Sequence, residues 1–185
     1  NYFRAEHVPY ELLKSKRVII TGASRGIGEQ FAYEYAKHGT CLILASRQLK
    51  DLEPVAQQCR TLGCQQVECV EFDAGKQESC QNLIETTLKH YNGINILVLN
   101  HTQSAYCPFH ELKDPIQTAH SIMNTNFFGY FHTAMYALPH LEKGGTVDQP
   151  SQIIVISSSA ALHPLPKVHL YGELPYKFII LMQTE

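Results

Sequence analysis

The sequence predicts an α/β fold, a doubly wound parallel sheet, on three observations. Five short aliphatic runs alternate with helical patterns along the 185 residues. The runs are short and largely apolar, as expected of parallel strands covered on both faces. The first run leads into a glycine-rich turn that opens an amphipathic segment, the start of a β-α-β unit.

Val18–Ile20 is the first predicted strand. Helix Gly26–His38 follows, with Ile27, Phe31 and Tyr35 at i, i+4 and i+8 and Ala32 and Ala36 beside them, a stripe expected to face the sheet. Cys41–Ala45 is the second strand. The helix Leu49–Leu62 is apolar at Leu49, Leu52, Val55, Ala56, Cys59 and Leu62. Val67–Phe72 is the third strand, and helix Gln77–Tyr91 gathers Leu83, Ile84, Thr87, Leu88 and Tyr91 on one side. Gly39, Gly63 and Gly93 stand where C-terminal caps belong. Ile96–Leu99 is the fourth strand, Pro115–Leu141 a long helical stretch, Glu142–Gln152 a loop and Ile153–Ile156 the fifth strand. Right-handed crossovers then put the strand C-terminal ends, and with them the ligand crevice, on one edge. Residues 1–185 are expected to form one domain, without internal repeats.

A formal net charge of −2 and the lack of any basic run argue against a nucleic-acid partner. No apolar stretch reaches the ~18 residues of a membrane span. There is no initiating Met and no signal-peptide pattern, so the expectation is an internal piece with any membrane anchor upstream. The six cysteines (41, 59, 64, 69, 80 and 107) include no Cys-x-x-Cys pair. Cys59, Cys64 and Cys69 recur every fifth residue, but on a helix end, a loop and a strand, so no metal site is expected.

The turn Thr21-Gly22-Ala23-Ser24-Arg25-Gly26-Ile27-Gly28 spaces its glycines as Gly-xxx-Gly-x-Gly. Bare backbone permits a tight turn and close approach of a phosphate and of the neighbouring strand. The helix start adds about half a positive charge and unpaired N–H donors. Together these cradle a dinucleotide pyrophosphate. The octet resembles the short-chain dehydrogenase/reductase family. Leu99-Asn100-His101, Glu11–Lys16, Phe109-His110 and Ala137–Leu141 are similar to its 11β-hydroxysteroid dehydrogenase type 1-like branch, from Tyr10 to about Tyr171.

The resemblance implies a Rossmann-type NAD(P)-binding domain, incomplete at the C-terminus, because family members continue into further strands and substrate-binding helices. It implies an oxidoreductase of lipophilic, steroid-like alcohols and carbonyls, a homodimer, and an N-terminal anchor in the endoplasmic reticulum membrane. The turn residues Thr21, Gly22, Ser24, Arg25, Gly26, Ile27 and Gly28 are its cofactor cradle. Ser46 replaces the acid that would bind the adenosine ribose, with Arg47 beside it and Arg25 in the turn, which favours NADP(H). Asp73 is implied to bond the adenine amino group, and is equally natural as a helix N-cap. Asn100-His101-Thr102-Gln103 replaces the family's Asn-Asn-Ala-Gly, with Asn100 implied to line the cofactor and Gln103 in place of the last glycine.

The family's chemistry uses a tyrosine proton donor, a serine, a lysine and an asparagine. Asn126 matches the asparagine that anchors a proton-relay water. Ser158 lies thirteen residues before Tyr171, the family's serine–tyrosine spacing, and is preferred over Ser157 and Ser159. Where a lysine is expected four residues after Tyr171 stands Pro175, and the next lysine is Lys177, six residues on. In a helix the fourth residue lies about 40° from the tyrosine and the sixth about 120° away. A lysine ~4 Å from the phenolate contributes about 4 kcal/mol at an effective dielectric of about 20. The tail after Tyr171 reads either as a two-residue insertion before Lys177-Phe178 or as foreign sequence. The rival to an active enzyme is thus an inactive cofactor-binding fragment, pseudoenzyme or dimerisation partner.

Overall fold

The computed structural model describes residues 10–105, 109–147 and 149–158. Its sheet runs β3-β2-β1-β4-β5, with every adjacent pair parallel. The strands are β1 (Arg17–Thr21), β2 (Cys41–Ser46), β3 (Gln66–Glu71), β4 (Ile96–Leu99) and β5 (Gln152–Val155). The helices are α1 (Gly26–Lys37), α2 (Glu53–Leu62), α3 (Gln77–Tyr91), α4 (Pro115–Met123) and α5 (Gly129–Gly144). The order reverses between β1 and β4, so the crevice at their C-terminal ends is the topological switch point where such sheets take ligands.

Alternation along the strands splits the core in two. Val18, Ile20, Leu42, Leu44, Ile96 and Val98 face α1 and α2, meeting Ala32, Ala36, Val55, Ala56 and Cys59. Ile19, Ile43, Leu97 and Leu99 face the other way, onto Leu83 and Ile84 of α3 and Tyr130, Ala134, Ala137 and Leu141 of α5. Both faces of the central strands are covered, which is why their sequence never alternates.

Four details differ from the expectation. The row of α1 that meets the sheet is Gly28, Ala32 and Ala36, one position on from the expected stripe. Small side chains let the helix lie close, while Ile27 is left 59 % exposed at the helix start. The helix cap after α3 is Asn92, left-handed at φ 53°, whose N–H donates to the Leu88 carbonyl. Gly93 serves clearance instead: a Cβ there would run into the Arg17 guanidinium, which bonds the Asn95 carboxamide. The second helix begins at Glu53, and Leu49–Asp51 forms a separate 3₁₀ turn with Leu49 exposed. Finally, the long helix is interrupted by a π-turn at Asn124–Phe128, and α5 extends to Gly144, into the predicted loop.

Candidate active site

The glycine turn is lashed down from below. Thr21 is fully buried, and its hydroxyl donates to the Val98 carbonyl at 3.1 Å. The same oxygen accepts from the Asn100 N–H at 2.9 Å and lies 2.9 Å from Nδ1 of His101. The Asn100 carboxamide donates to the Gly22 carbonyl at 3.1 Å. Thr21 and Asn100 therefore fix the turn's floor across β1 and β4.

Gly22 sits at φ +65°, and a Cβ on it would come within 3.0 Å of the His101 Cα. A Cβ on Gly28 would strike the Gly22 carbonyl and lie 2.6 Å from the Asn100 Nδ2. Gly26, at φ +62°, faces open space. Arg25 precedes α1 in extended conformation and no side chain caps the helix, so its first N–H groups stay available to an anion. Ser24 is half-buried, and Arg25, Gly26 and Ile27 are exposed around this opening. A bare, positively polarised cradle at the switch point fits a dinucleotide pyrophosphate.

At the end of β2, the Ser46 hydroxyl is buried and donates to the Gln48 carbonyl at 3.0 Å, so it turns back into its own chain. Arg47 reaches outward and, with Asp73, Lys76, Gln103, His120 and Thr125, lines a cavity of about 290 Å³. Arg25 is not part of that lining. Asp73 is not the N-cap of α3, a position that falls to Lys76. Its carboxylate accepts from the Gly75 N–H at 3.1 Å and pairs with Lys76 at 3.5 Å.

Asn126 is buried inside the π-turn. Its Oδ1 accepts from the Gln103 N–H and its Nδ2 donates to the Gln103 carbonyl, both at 2.8 Å. A lone π-turn inside a helix commonly marks a functional position, because it costs regular hydrogen bonding. Ser158 is half-buried just beyond β5, and Ser157 is exposed. Tyr171, Pro175 and Lys177 lie outside the described residues.

Sequence reasoning missed the weight of His101. It is enclosed, edge-on to Phe72 and Tyr130, with ring centroids 5.2 and 4.4 Å away. Burial pushes its pKa down to about 3, so the ring is neutral. It also missed the Gln103 side chain, whose Nε2 donates to Ser121 at 2.9 Å and whose Oε1 accepts from Thr125 at 3.1 Å. The available signal was Ser121 and Thr125 at i and i+4, on one helix face. Among the described residues no cluster of three or more His, Cys, Asp or Glu side chains is placed to hold a metal. Burial raises the thiol pKa of Cys41, Cys59, Cys64, Cys69 and Cys80.

A family model described as short chain dehydrogenase matches residues 16–173, and the chain belongs to that family. It is 40% identical over 174 residues to 11-beta-hydroxysteroid dehydrogenase A of Arachis hypogaea, covering 94% of this chain and 48% of that one. To 11-beta-hydroxysteroid dehydrogenase 1A of Arabidopsis thaliana it is 38% identical over 162 residues, covering 88% of this chain and 45% of the relative. The chain thus spans about half the length of the curated relatives it matches. Among solved structures it is similar to an alcohol dehydrogenase from Thermococcus sibiricus complexed with 5-hydroxy-NADP. The TM-score is 0.81 at 26% identity, over 91% of this chain and 69% of that one. Its fold is also that of the NADH-dependent reductase A1-R′ complexed with NAD, with TM-score 0.84 at 23% identity over 93% and 72% of the two chains.

Proposed function

We propose that this chain carries the dinucleotide-binding part of an NADP(H)-dependent oxidoreductase of lipophilic, steroid-like alcohols or carbonyls. The observation that supports it furthest is the lashed turn: Thr21 and Asn100 hold Gly22 at φ +65° while the uncapped start of α1 opens beside it. The names of the curated relatives support the substrate class.

The preference for NADP(H) over NAD(H) rests on the end of β2. β2 ends in Ser46 with no acidic residue of its own, the Ser46 hydroxyl is spent on Gln48, and Arg47 is exposed beside the cavity. A guanidinium on a 2′-phosphate contributes about 1.5–3 kcal/mol. Calorimetric titration of the full-length protein tests this, with NADPH expected to bind more tightly than NADH. Arg47→Ala is expected to lower NADPH affinity roughly ten- to hundredfold and NADH affinity by less than about twofold. Equal or tighter binding of NADH overturns the preference.

The nicotinamide, when bound, gives or takes the hydride. Tyr171 moves the proton of the substrate oxygen and the Ser158 hydroxyl holds that oxygen. Asn126, whose carboxamide is engaged with the Gln103 main chain, anchors the relay water. In a form that carries lysine four residues after Tyr171, Ser158→Ala is expected to lower turnover more than Ser157→Ala, and Tyr171→Phe to lower it about 10²–10⁴-fold. A larger loss from Ser157→Ala would reassign the serine.

Pro175, four residues after Tyr171 in place of lysine, favours a second reading: a cofactor-binding partner without turnover. Reduced-nicotinamide absorbance with a panel of steroid and smaller carbonyl substrates separates the two. As partners we propose a second copy of the chain and, upstream, an anchor in the endoplasmic reticulum membrane. The second copy is supported by the outer face of the π-turn and α5, where Phe128, Phe131, Met135 and Leu138 are each more than 40 % exposed at helical spacing. No described helix is long and apolar enough to cross a membrane.

A further inference from the structure

Gln103 ties together two segments that are remote in sequence, the exit of β4 and the junction where α4 passes into the π-turn. Its backbone is held in both directions by the Asn126 carboxamide. Its side chain holds Ser121, in the last turn of α4, and Thr125, inside the π-turn. The two amides clamp each other's elements reciprocally. The backbone clamp needs no particular side chain at position 103, but the bonds to Ser121 and Thr125 need a carboxamide or a close equivalent.

The clamp also forms a wall. Gln103, Ser121 and Thr125 line the cavity that holds Asp73 and Arg47, opposite the end of β2. A π-turn forfeits the regular i to i−4 ladder, so it keeps its shape only where side chains compensate. Releasing the Gln103 side chain would leave Ser121 and Thr125 free to relax toward a regular helix and would alter that wall.

We propose that Gln103 is a positioning residue: its side chain holds the α4–π-turn junction in register and thereby shapes the cavity that takes the adenosine end of the dinucleotide. This rests on the dinucleotide reading above. It assigns adenosine-end affinity to a residue that need not touch the pyrophosphate cradle at Gly22–Gly28.

The test uses the full-length protein with Gln103→Leu and Gln103→Glu, amide hydrogen exchange over residues 121–129, and calorimetry with adenosine 2′,5′-bisphosphate and NADPH. Leucine removes both side-chain bonds. Glutamate keeps them, because the Ser121 and Thr125 hydroxyls can each donate to it. The expected result for Gln103→Leu is at least tenfold faster exchange within 121–129 and a similar-fold loss, at least fivefold, for both ligands. Gln103→Glu is expected to restore the slow exchange, whatever its added charge does to the anionic ligands. Unchanged exchange in Gln103→Leu overturns the proposal. So does a loss confined to NADPH with the bisphosphate unaffected, which would put the effect at the other end of the cofactor. If the unsubstituted protein binds neither ligand, the dinucleotide reading falls with the cavity assignment, and exchange alone judges the clamp.

Discussion

The centre of the sheet and its β5 edge are built differently from the same kind of sequence. In β2 and β4 every residue is buried, and in β1 all but Arg17. Hydrogen bonds from Thr21 and Asn100 then lock the turn that follows β1. In β5 Gln152 is exposed and Ile153, Ile154 and Val155 are only half-buried, and among the described residues the strand pairs with β4 alone. The proposed cofactor cradle thus grows from the most enclosed strands, whereas Ser158 follows the least enclosed one. A phosphate cradle needs fixed N–H groups before the ligand arrives, so its rigidity lies in the fold itself. Were Ser158 the substrate-side serine proposed above, its placement would depend on what packs over that edge.

The widest test of this contrast is a matched pair of truncations. Ile43→Ala, at a fully buried position, is expected to cost about 2–5 kcal/mol, and Ile154→Ala, on β5, less than half as much. Denaturant unfolding of the full-length protein measures both, and equal costs would erase the distinction. Next in size is Gly28→Ala. Its Cβ meets the Gly22 carbonyl and the Asn100 carboxamide, so stability should fall by up to about 3 kcal/mol and NADPH binding should be lost. Retention of both would show that the cradle yields.

A smaller effect comes from His101. Its folded pKa lies near 3, below the unfolded value near 6.5, so below pH 6.5 the unfolded chain binds more protons. The stability it permits is present above pH 6.5 and is lost as pH falls toward 3, about 2 kcal/mol of it by pH 5. His101→Gln should flatten that part of the stability profile, read as thermal midpoints between pH 5 and pH 7.5. An unchanged slope would assign the pH dependence to other groups.

The parallel sheet was legible because burial on both faces leaves one plain signature, as in Val18–Ile20 and Cys41–Ala45. The turn was legible because its glycines are there for steric reasons that spacing encodes. What stayed hidden depends on partners distant in sequence. Ile27 belongs to an apolar stripe on paper, but only the sheet's proximity selects the smaller Gly28–Ala32–Ala36 row. Asp73 has the composition of a cap, yet the chain makes a further turn before α3 and the carboxylate closes onto Gly75 instead. Ser46 was marked by the acid it lacks, and its own hydroxyl is engaged with Gln48. The π-turn has no periodicity of its own, and the side-chain bonds made across it run to Gln103, some twenty residues away.

Thr21 carries one hydroxyl hydrogen, and the Val98 carbonyl takes it. Toward His101 the oxygen lies 2.9 Å from Nδ1, a contact whose direction the ring's tautomer sets. The ring's Nε2 is buried on the side turned toward Gly129, and the ring is also within hydrogen-bond reach of the Thr125 main chain. A neutral ring placed between the Thr21 hydroxyl and the π-turn joins the floor of the turn to the segment that carries Asn126. In a nitrogen-15 spectrum its two ring nitrogens should appear widely split and unmoving from pH 5 to pH 8.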